Sequence, residues 1–138
     1  MLTNLKMEVK TNMSSPGITK LGQIQVRTHD VERAADFYEK VLGLKLLFKA
    51  PPGLAFFECN GIRLMLDRPE KPEFDHASSI LYFAVPDIKA AHAGMKEKGV
   101  RFEDEPHMVA HMPDHDLWMT FFRDTEDNLL ALMSEVKR

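Results

Sequence analysis

Residues 30–44, DVERAADFYEKVLGL, are the stretch that decides the fold of this chain. Asp30 is a residue type that caps helix N-termini, and the apolar residues after it recur at intervals of three and four. Gly43 supplies the left-handed conformation in which many helices end. The stretch therefore predicts one amphipathic helix between two caps.

Strand patterns lie on both sides of this helix. Residues 22–27 alternate polar and apolar, which predicts a strand with one buried face. Residues 44–48 predict a second strand. Residues 54–59 and 62–66 predict a hairpin, because the Asn60-Gly61 pair between them is the strongest short hairpin signal. The first half is therefore predicted to be β-α-β-β-β.

The same order of elements recurs after a polar, proline-containing loop over residues 69–79. Asp87 and Gly99 bracket a second helix, as Asp30 and Gly43 bracket the first, and the two aspartates are 57 residues apart. This indicates an internal repeat. The predicted strands of the second half are residues 80–85, a short strand at 100–102, and a hairpin of 117–123 with 129–133.

The repeated unit resembles the vicinal oxygen chelate superfamily, which includes glyoxalase I, bleomycin-resistance proteins and extradiol dioxygenases. Residues 30–44 resemble the family's first helix, with its Asp, Phe-Tyr pair and closing Leu-Gly. Residues 122–132, FRDTEDNLLAL, resemble its Asp-Pro-Asp-Gly-Asn turn and last strand. The resemblance covers residues 21–135. It implies an α+β fold in which two βαβββ units form a curved mixed sheet cup, with the site on the concave face.

This fold predicts how the chain is divided. We expect one vicinal-oxygen-chelate-like domain over residues 20–138, with units of about 20–68 and 79–135. Residues 1–19 are polar and rich in turn-forming residues at their end, so they are expected to form a flexible leader. A leader helix over Leu2–Val9 is a weaker alternative.

Metal-using members of the superfamily take His, Gln or Glu ligands from four concave positions. The resemblance places these positions at Gln23, Met65, Ile80 and Ala131. Only Gln23 offers an oxygen donor, and a thioether is a poor ligand for hard metals. We therefore predict that the family-type metal site is lost, together with the glutamate that acts as the base in glyoxalases, and we predict no cofactor. The weak metal candidates that remain are Gln23, His107 and His111.

Alternation along the strands predicts a small-molecule pocket on the concave face. An anionic ligand group is one partner for its arginines, and a carboxylate such as Glu58 is the other. Trp118 either walls the pocket or packs beneath the helices. The residues expected to line it are Gln23, Gln25, Arg27, Arg63, Met65, Tyr82, His107, Trp118 and Ala131.

Three histidines, His107, His111 and His115, lie four residues apart. Pro106 and Pro113 interrupt any helix that would align them, so we expect a loop at the rim of the cup, ahead of the strand that starts at residue 117. His115 stands between two aspartates, which favour its charged form. It is the candidate catalytic acid or base.

Composition excludes several classes of function. A net charge of −3 without a basic stripe argues against nucleic-acid binding, and the longest apolar run, residues 80–85, is too short to cross a membrane. Cys59 is the only cysteine, so no intrachain disulfide is possible and a cytoplasmic location is expected.

We predict a glyoxalase/bleomycin-resistance-like protein that binds a small molecule, without assigning a reaction. The alternative is a metal-dependent, glyoxalase-like lyase or isomerase acting on a small carbonyl compound or thiol conjugate. A third possibility is a module whose cup is filled by its own side chains. The resemblance also implies a homodimer.

Overall fold

The computed structural model describes residues 15–51 and 53–138. The considered helix over Leu2–Val9 and most of the expected leader lie outside these residues. The elements in chain order are β1 (Gln23–Arg27), α1 (Val31–Asp36), β2 (Lys45–Ala50), β3 (Leu54–Cys59), β4 (Ile62–Asp67), β5 (Leu81–Ala84), α2 (Ile88–Glu97), β6 (Arg101–Phe102), β7 (His107–His111), β8 (His115–Arg123) and β9 (Leu129–Lys137).

The strands form two sheets with the same internal order. The first sheet runs β1-β4-β3-β2, and the second runs β5-β9-β8 with β6 and β7 both paired to the far side of β8. β1 pairs in parallel with β4, and β5 pairs in parallel with β9. All other strand pairs are antiparallel. The predicted α+β fold is therefore confirmed. The second unit has one strand more than the predicted βαβββ order, because β6 and β7 both pair with β8.

Both helices begin and end at the predicted caps. The Asp30 carboxylate accepts the Arg33 N–H at 3.2 Å, and the Asp87 carboxylate accepts the Ala90 N–H at 3.1 Å. Gly43 and Gly99 have φ of +74° and +88°, which glycine adopts without the steric cost of a Cβ. A π-helical segment over Phe37–Val41 continues α1 to its end.

The helices cover one face of each sheet and enclose the core. Apolar residues from both units form one buried cluster, in which Tyr38, Phe57 and Phe122 are fully buried. The Tyr38 hydroxyl donates a 2.7 Å hydrogen bond to Asp124 Oδ2 in the turn between β8 and β9. Asp124 also accepts the backbone N–H groups of Glu126 and Asn128. This buried polar cluster joins the π-helical segment that follows α1 in the first unit to the last hairpin of the second.

The predicted rim loop is wrong in part, because His107–His111 forms strand β7. It pairs antiparallel with β8, which starts at His115 rather than at residue 117, and β9 continues to Lys137. Pro106 and Pro113 flank β7 instead of interrupting it, so no ladder N–H is lost. Pairing along β8 stabilises a strand that has little local signal of its own.

Among the described residues, no helix is long and apolar enough to cross a membrane.

Candidate functional site

The face of each sheet that carries no helix is the candidate site. On the first sheet, Gln23, Gln25 and Arg27 alternate with the more buried Ile24 and Val26, as the sequence pattern predicts. The register extends this face across the sheet, since paired residues point to the same side. Gln23 pairs with Arg63 and then Glu58, and Gln25 pairs with Met65 and then Phe56.

Polar side chains on this open face are bound to one another. Arg63 Nε donates to Gln23 Oε1 at 3.0 Å, and Gln23 Nε2 lies 3.7 Å from Met65 Sδ. Gln25 Nε2 donates to Asp67 Oδ2 at 3.3 Å. These contacts orient the two glutamines. Within the described residues, both keep donor and acceptor groups that a ligand can use.

Arg63 stacks on an aromatic pair, Phe56 and Phe48. Its guanidinium carbon lies 5.1 Å from the centre of the Phe56 ring, and Phe48 packs on Phe56 at 4.6 Å between ring centres. Glu58, the neighbour in register, instead accepts the Gly61 N–H at 2.5 Å. No carboxylate in residues 15–51 or 53–138 forms an ion pair with Arg63. Its charge is therefore available to an anionic group beside an aromatic surface.

Arg27 occupies a different environment at the end of the same face. Its guanidinium lies 3.7 Å from Asp75 of the connecting loop, and His29 Nε2 is 2.9 Å from the same carboxylate. A cavity of about 470 Å³ opens between this loop and the sheet, lined by residues that include Gln25, Arg27, Asp67, Phe74 and His76. Burial raises the pKa of the Asp67 carboxyl, the Glu70 charge raises it further, and a hydrogen bond from the Arg68 backbone opposes them.

The open face of the second sheet is apolar and aromatic. Tyr82 pairs with Ala131, which pairs with Phe121, and the Tyr82 and Phe121 rings meet edge to face at 5.9 Å. Tyr82 is 45% exposed. Met119 pairs with His107 on one side and with Met133 on the other, which extends this face to β7.

The four positions that the family resemblance assigns to metal ligands hold Gln23, Met65, Ile80 and Ala131. The Gln23 carbonyl oxygen already accepts a hydrogen bond from Arg63, and Ile80 and Ala131 have no donor atom. These side chains do not fit a divalent metal. The described part of the chain also contains no cluster of three or more His, Cys, Asp or Glu side chains placed to hold a metal.

The three histidines of the β7–β8 region are held apart. Four residues along a strand span about 13 Å, so His107 and His111 on β7 are too distant to share one ion. His111 Nδ1 lies 2.6 Å from Asp116, and His107 Nδ1 lies 2.8 Å from the Glu105 carbonyl. Each is thus engaged locally.

His115 contacts one of its two neighbouring aspartates, and Trp118 takes the second of its two expected positions. His115 Nδ1 is 2.7 Å from Asp114, but Asp116 binds His111 and Arg138 rather than His115. Trp118 shares its face of β8 with the buried Thr120 and Phe122, and Lys89 of α2 lies 5.1 Å from its ring centre. Trp118 packs beneath the helix and does not lie on the open face of the sheet.

Two aromatic residues of the site, Phe48 and Phe56, were absent from the predicted set. The signal for Phe56 was present in the Asn60-Gly61 turn, which fixes the β3–β4 register and places Phe56 opposite Met65. Phe48 had no such signal, because a register shift between β2 and β3 lies beside it.

A family comparison agrees with this architecture. The model of the glyoxalase/bleomycin resistance protein/dioxygenase superfamily matches residues 20–132. The chain belongs to this superfamily. Its residues match no curated protein sequence significantly.

Solved structures of the superfamily share the fold. A superfamily member from Sphaerobacter thermophilus DSM 20745 has a TM-score of 0.72 at 23% identity, covering 86% of this chain and 98% of its own. Lactoylglutathione lyase from Agrobacterium tumefaciens has a TM-score of 0.70 at 18% identity, covering 85% and 94%. The antibiotic-binding protein TnmS3 from Streptomyces sp. CB03234 has a TM-score of 0.68 at 22% identity, covering 86% and 97%. At these identities the likeness establishes the fold alone.

Proposed function

We propose that this superfamily member binds a small organic molecule on the open face of its first sheet. The molecule has an aromatic ring and an anionic group. The observation that carries the proposal is Arg63, a cation that has no carboxylate partner among the described residues and that stacks on Phe56 beside the 48%-exposed Phe48. An aromatic carboxylate satisfies both features, because its ring packs on Phe48 while its charge pairs with the guanidinium.

Binding on this face needs no divalent metal. Of the four family ligand positions, three hold Met65, Ile80 and Ala131, and the fourth, Gln23, is bound to Arg63. Gln23 and Gln25 instead serve as hydrogen-bonding groups that orient the ligand's polar atoms. The antibiotic-binding relative supports a binding role of this kind, with or without a reaction.

We further propose that the protein acts as a cytoplasmic homodimer. The second sheet leaves Tyr82 exposed on its open face, with Phe121 and Met119 beside it. A second copy that placed this face opposite Arg63 would enclose the ligand between an aromatic wall and a polar one.

The test is a panel of aromatic carboxylates and their uncharged amides, screened by thermal shift in EDTA. We expect wild-type protein to prefer the carboxylate of at least one pair, and Arg63→Gln to weaken that carboxylate about tenfold while leaving the amide unchanged. Lys49→Gln is the matched control. It removes the same charge from the same sheet, but Lys49 pairs with Glu32 of α1. Equal carboxylate affinity of wild type and Arg63→Gln would refute the assignment of Arg63.

A further inference from the structure

A cavity of about 470 Å³ lies where the open face of the first sheet meets the loop that connects the two units. Gln25, Arg27 and Asp67 form its sheet side, at the ends of β1 and β4. Residues of the loop between Pro69 and Ser79 form its other side. Because Asp67 alternates with Arg63 along β4, the cavity continues the same face on which Arg63 lies.

The loop is attached to the end of β1 by three polar contacts. Ser78 Oγ accepts the Arg27 N–H at 2.9 Å. The Asp75 carboxylate lies 3.7 Å from the Arg27 guanidinium and 2.9 Å from His29 Nε2. These contacts hold the loop over the cavity, and Asp75 balances the positive charge of Arg27 in the cavity wall.

The cavity is also lined by two carboxylates, those of Asp67 and Glu70. Neither forms an ion pair with a cation of residues 15–51 or 53–138. Burial raises the pKa of the Asp67 carboxyl, and the Glu70 charge raises it further, because the two negative charges repel each other. A positive charge placed between the two carboxylates is attracted by both and offsets their repulsion.

The neighbouring groups suit a protonated amine. Gln25 Nε2 donates to Asp67 Oδ2 at 3.3 Å, so the Gln25 carbonyl oxygen is an acceptor for a second group. An ammonium has three N–H donors, which match two carboxylates and one amide oxygen. The Phe74 ring lines the same cavity and is 53% exposed. Lys71 Nζ lies 5.9 Å from the centre of this ring, which shows that the ring accommodates an ammonium beside it.

Strand β4 sets the distance between this cavity and Arg63. Arg63, Met65 and Asp67 point to the same side of the strand, and four residues along a strand span about 13 Å. Met65 and its partner in register, Phe56, provide an apolar surface between the two ends. A ligand that spans this face is therefore matched by an anionic group, an apolar middle and a cationic end.

We infer that the ligand of the open face carries a protonated primary amine about 13 Å from its anionic group, and that Asp67, Glu70 and Gln25 bind this amine beneath the connecting loop. The anionic end of this inference rests on the proposed function. The amine end uses different residues, so it can be tested by itself.

Probes that differ only in their terminal group test the amine. They are benzoates with a para alkyl chain of increasing length that ends either in an amine or in a hydroxyl, titrated calorimetrically in EDTA at pH 7. In wild-type protein the amine should bind about tenfold more tightly than the hydroxyl compound once the chain reaches Asp67. Asp67→Asn should bring this ratio close to one. Arg63→Gln should weaken both benzoates and keep the ratio.

Glu73→Gln is the matched control for the charge of the loop. It removes one negative charge from the connecting loop, but Glu73 lies outside the cavity, so the ratio should stay at its wild-type value. Urea denaturation of Asp67→Asn shows that the variant is folded under the conditions of the titration. Equal affinity of amine and hydroxyl compounds for wild type at every chain length, or an amine preference that survives Asp67→Asn, would overturn the inference.

Phenylalkylamines, which lack the carboxylate, separate this inference from the proposed function. If they bind wild-type protein but not Asp67→Asn, while no benzoate depends on Arg63, the amine subsite is supported and the proposed function is wrong. If the benzoates depend on Arg63 but their amines add no affinity, the proposed function is supported and the inference is wrong.

Discussion

Replacing Tyr38 by Phe should destabilise the protein through a single lost hydrogen bond between its two halves. The Tyr38 hydroxyl donates to Asp124 Oδ2 at 2.7 Å, and the two residues are 0% and 2% exposed. Burial raises the pKa of Tyr38 well above its ordinary value, and the nearby Asp124 charge adds to this effect, so the hydroxyl stays protonated as a donor.

The expected loss of stability depends on the hydrogen bonds that the Asp124 carboxylate retains in the variant. In Tyr38→Phe, Asp124 still accepts from the Glu126 N–H and from the backbone and side-chain nitrogens of Asn128, at 2.8 to 3.0 Å. The variant therefore loses one charge-assisted bond without leaving the carboxylate bare. A hydrogen bond to a charged group contributes about 1.5–3 kcal/mol, so we expect the free energy of unfolding to fall by about 2 kcal/mol.

Urea denaturation of the wild type and two variants provides the assay. The matched control is Tyr82→Phe, the same chemical change at a 45%-exposed ring whose hydroxyl makes no hydrogen bond within the described residues. Tyr82→Phe should lie within about 0.5 kcal/mol of wild type, and the urea dependence should be similar in all three proteins. A Tyr38→Phe variant as stable as Tyr82→Phe would refute a role for this bond in joining the halves.

Two further stability predictions follow from the described residues. The folded state raises the pKa of Asp67, so it favours the protonated carboxyl, and this contribution to stability is present below the usual pKa of 3.8 and is lost as the pH rises through the folded value. Asp67→Asn should therefore be more stable than wild type at pH 7 but not at pH 3. Urea denaturation at both pH values measures the difference. Gly99→Ala should lower the free energy of unfolding by about 1 kcal/mol, because Gly99 has a φ of +88°. Gly94 lies inside α2 with open space around it, so Gly94→Ala should raise the free energy of unfolding by about 0.5–1 kcal/mol. Thermal unfolding measures both, and changes of the same sign would contradict the argument.

Local sequence signals predicted the repeated architecture because several of them agree. Asp30 and Asp87 cap helices through their own carboxylates, and the left-handed Gly43 closes the first helix. The Asn60-Gly61 turn sets a register that needs no distant contact. Where capping, periodicity and turn chemistry point the same way, the element is specified locally.

Strand β7 could not be predicted in this way. Residues 107–111 have two histidines and flanking prolines, and their strand conformation depends on pairing with β8. The same limitation applies to Trp118, since alternation defines two faces of a strand but not which face a helix covers. The π-helical segment at the end of α1 has no sequence signature that we recognise.

The open face was partly predictable. Alternation placed Gln23, Gln25 and Arg27 together, and parallel pairing of β1 with β4 then adds Met65 and Arg63. The partners of the arginines depend on tertiary structure. Arg27 lies beside Asp75 of a loop 48 residues away, whereas Arg63 stacks on Phe56 and leaves Glu58 to bind a turn amide.

Calorimetric titration of the best aromatic carboxylate into the purified full chain, with and without EDTA, tests the central claim most directly. We predict binding with the same affinity in both conditions, weakened by Arg63→Gln and unchanged by added Ni²⁺ or Zn²⁺. Binding that disappears in EDTA and returns with one equivalent of metal would contradict the account, because a metal ion would then hold the ligand in place of Arg63.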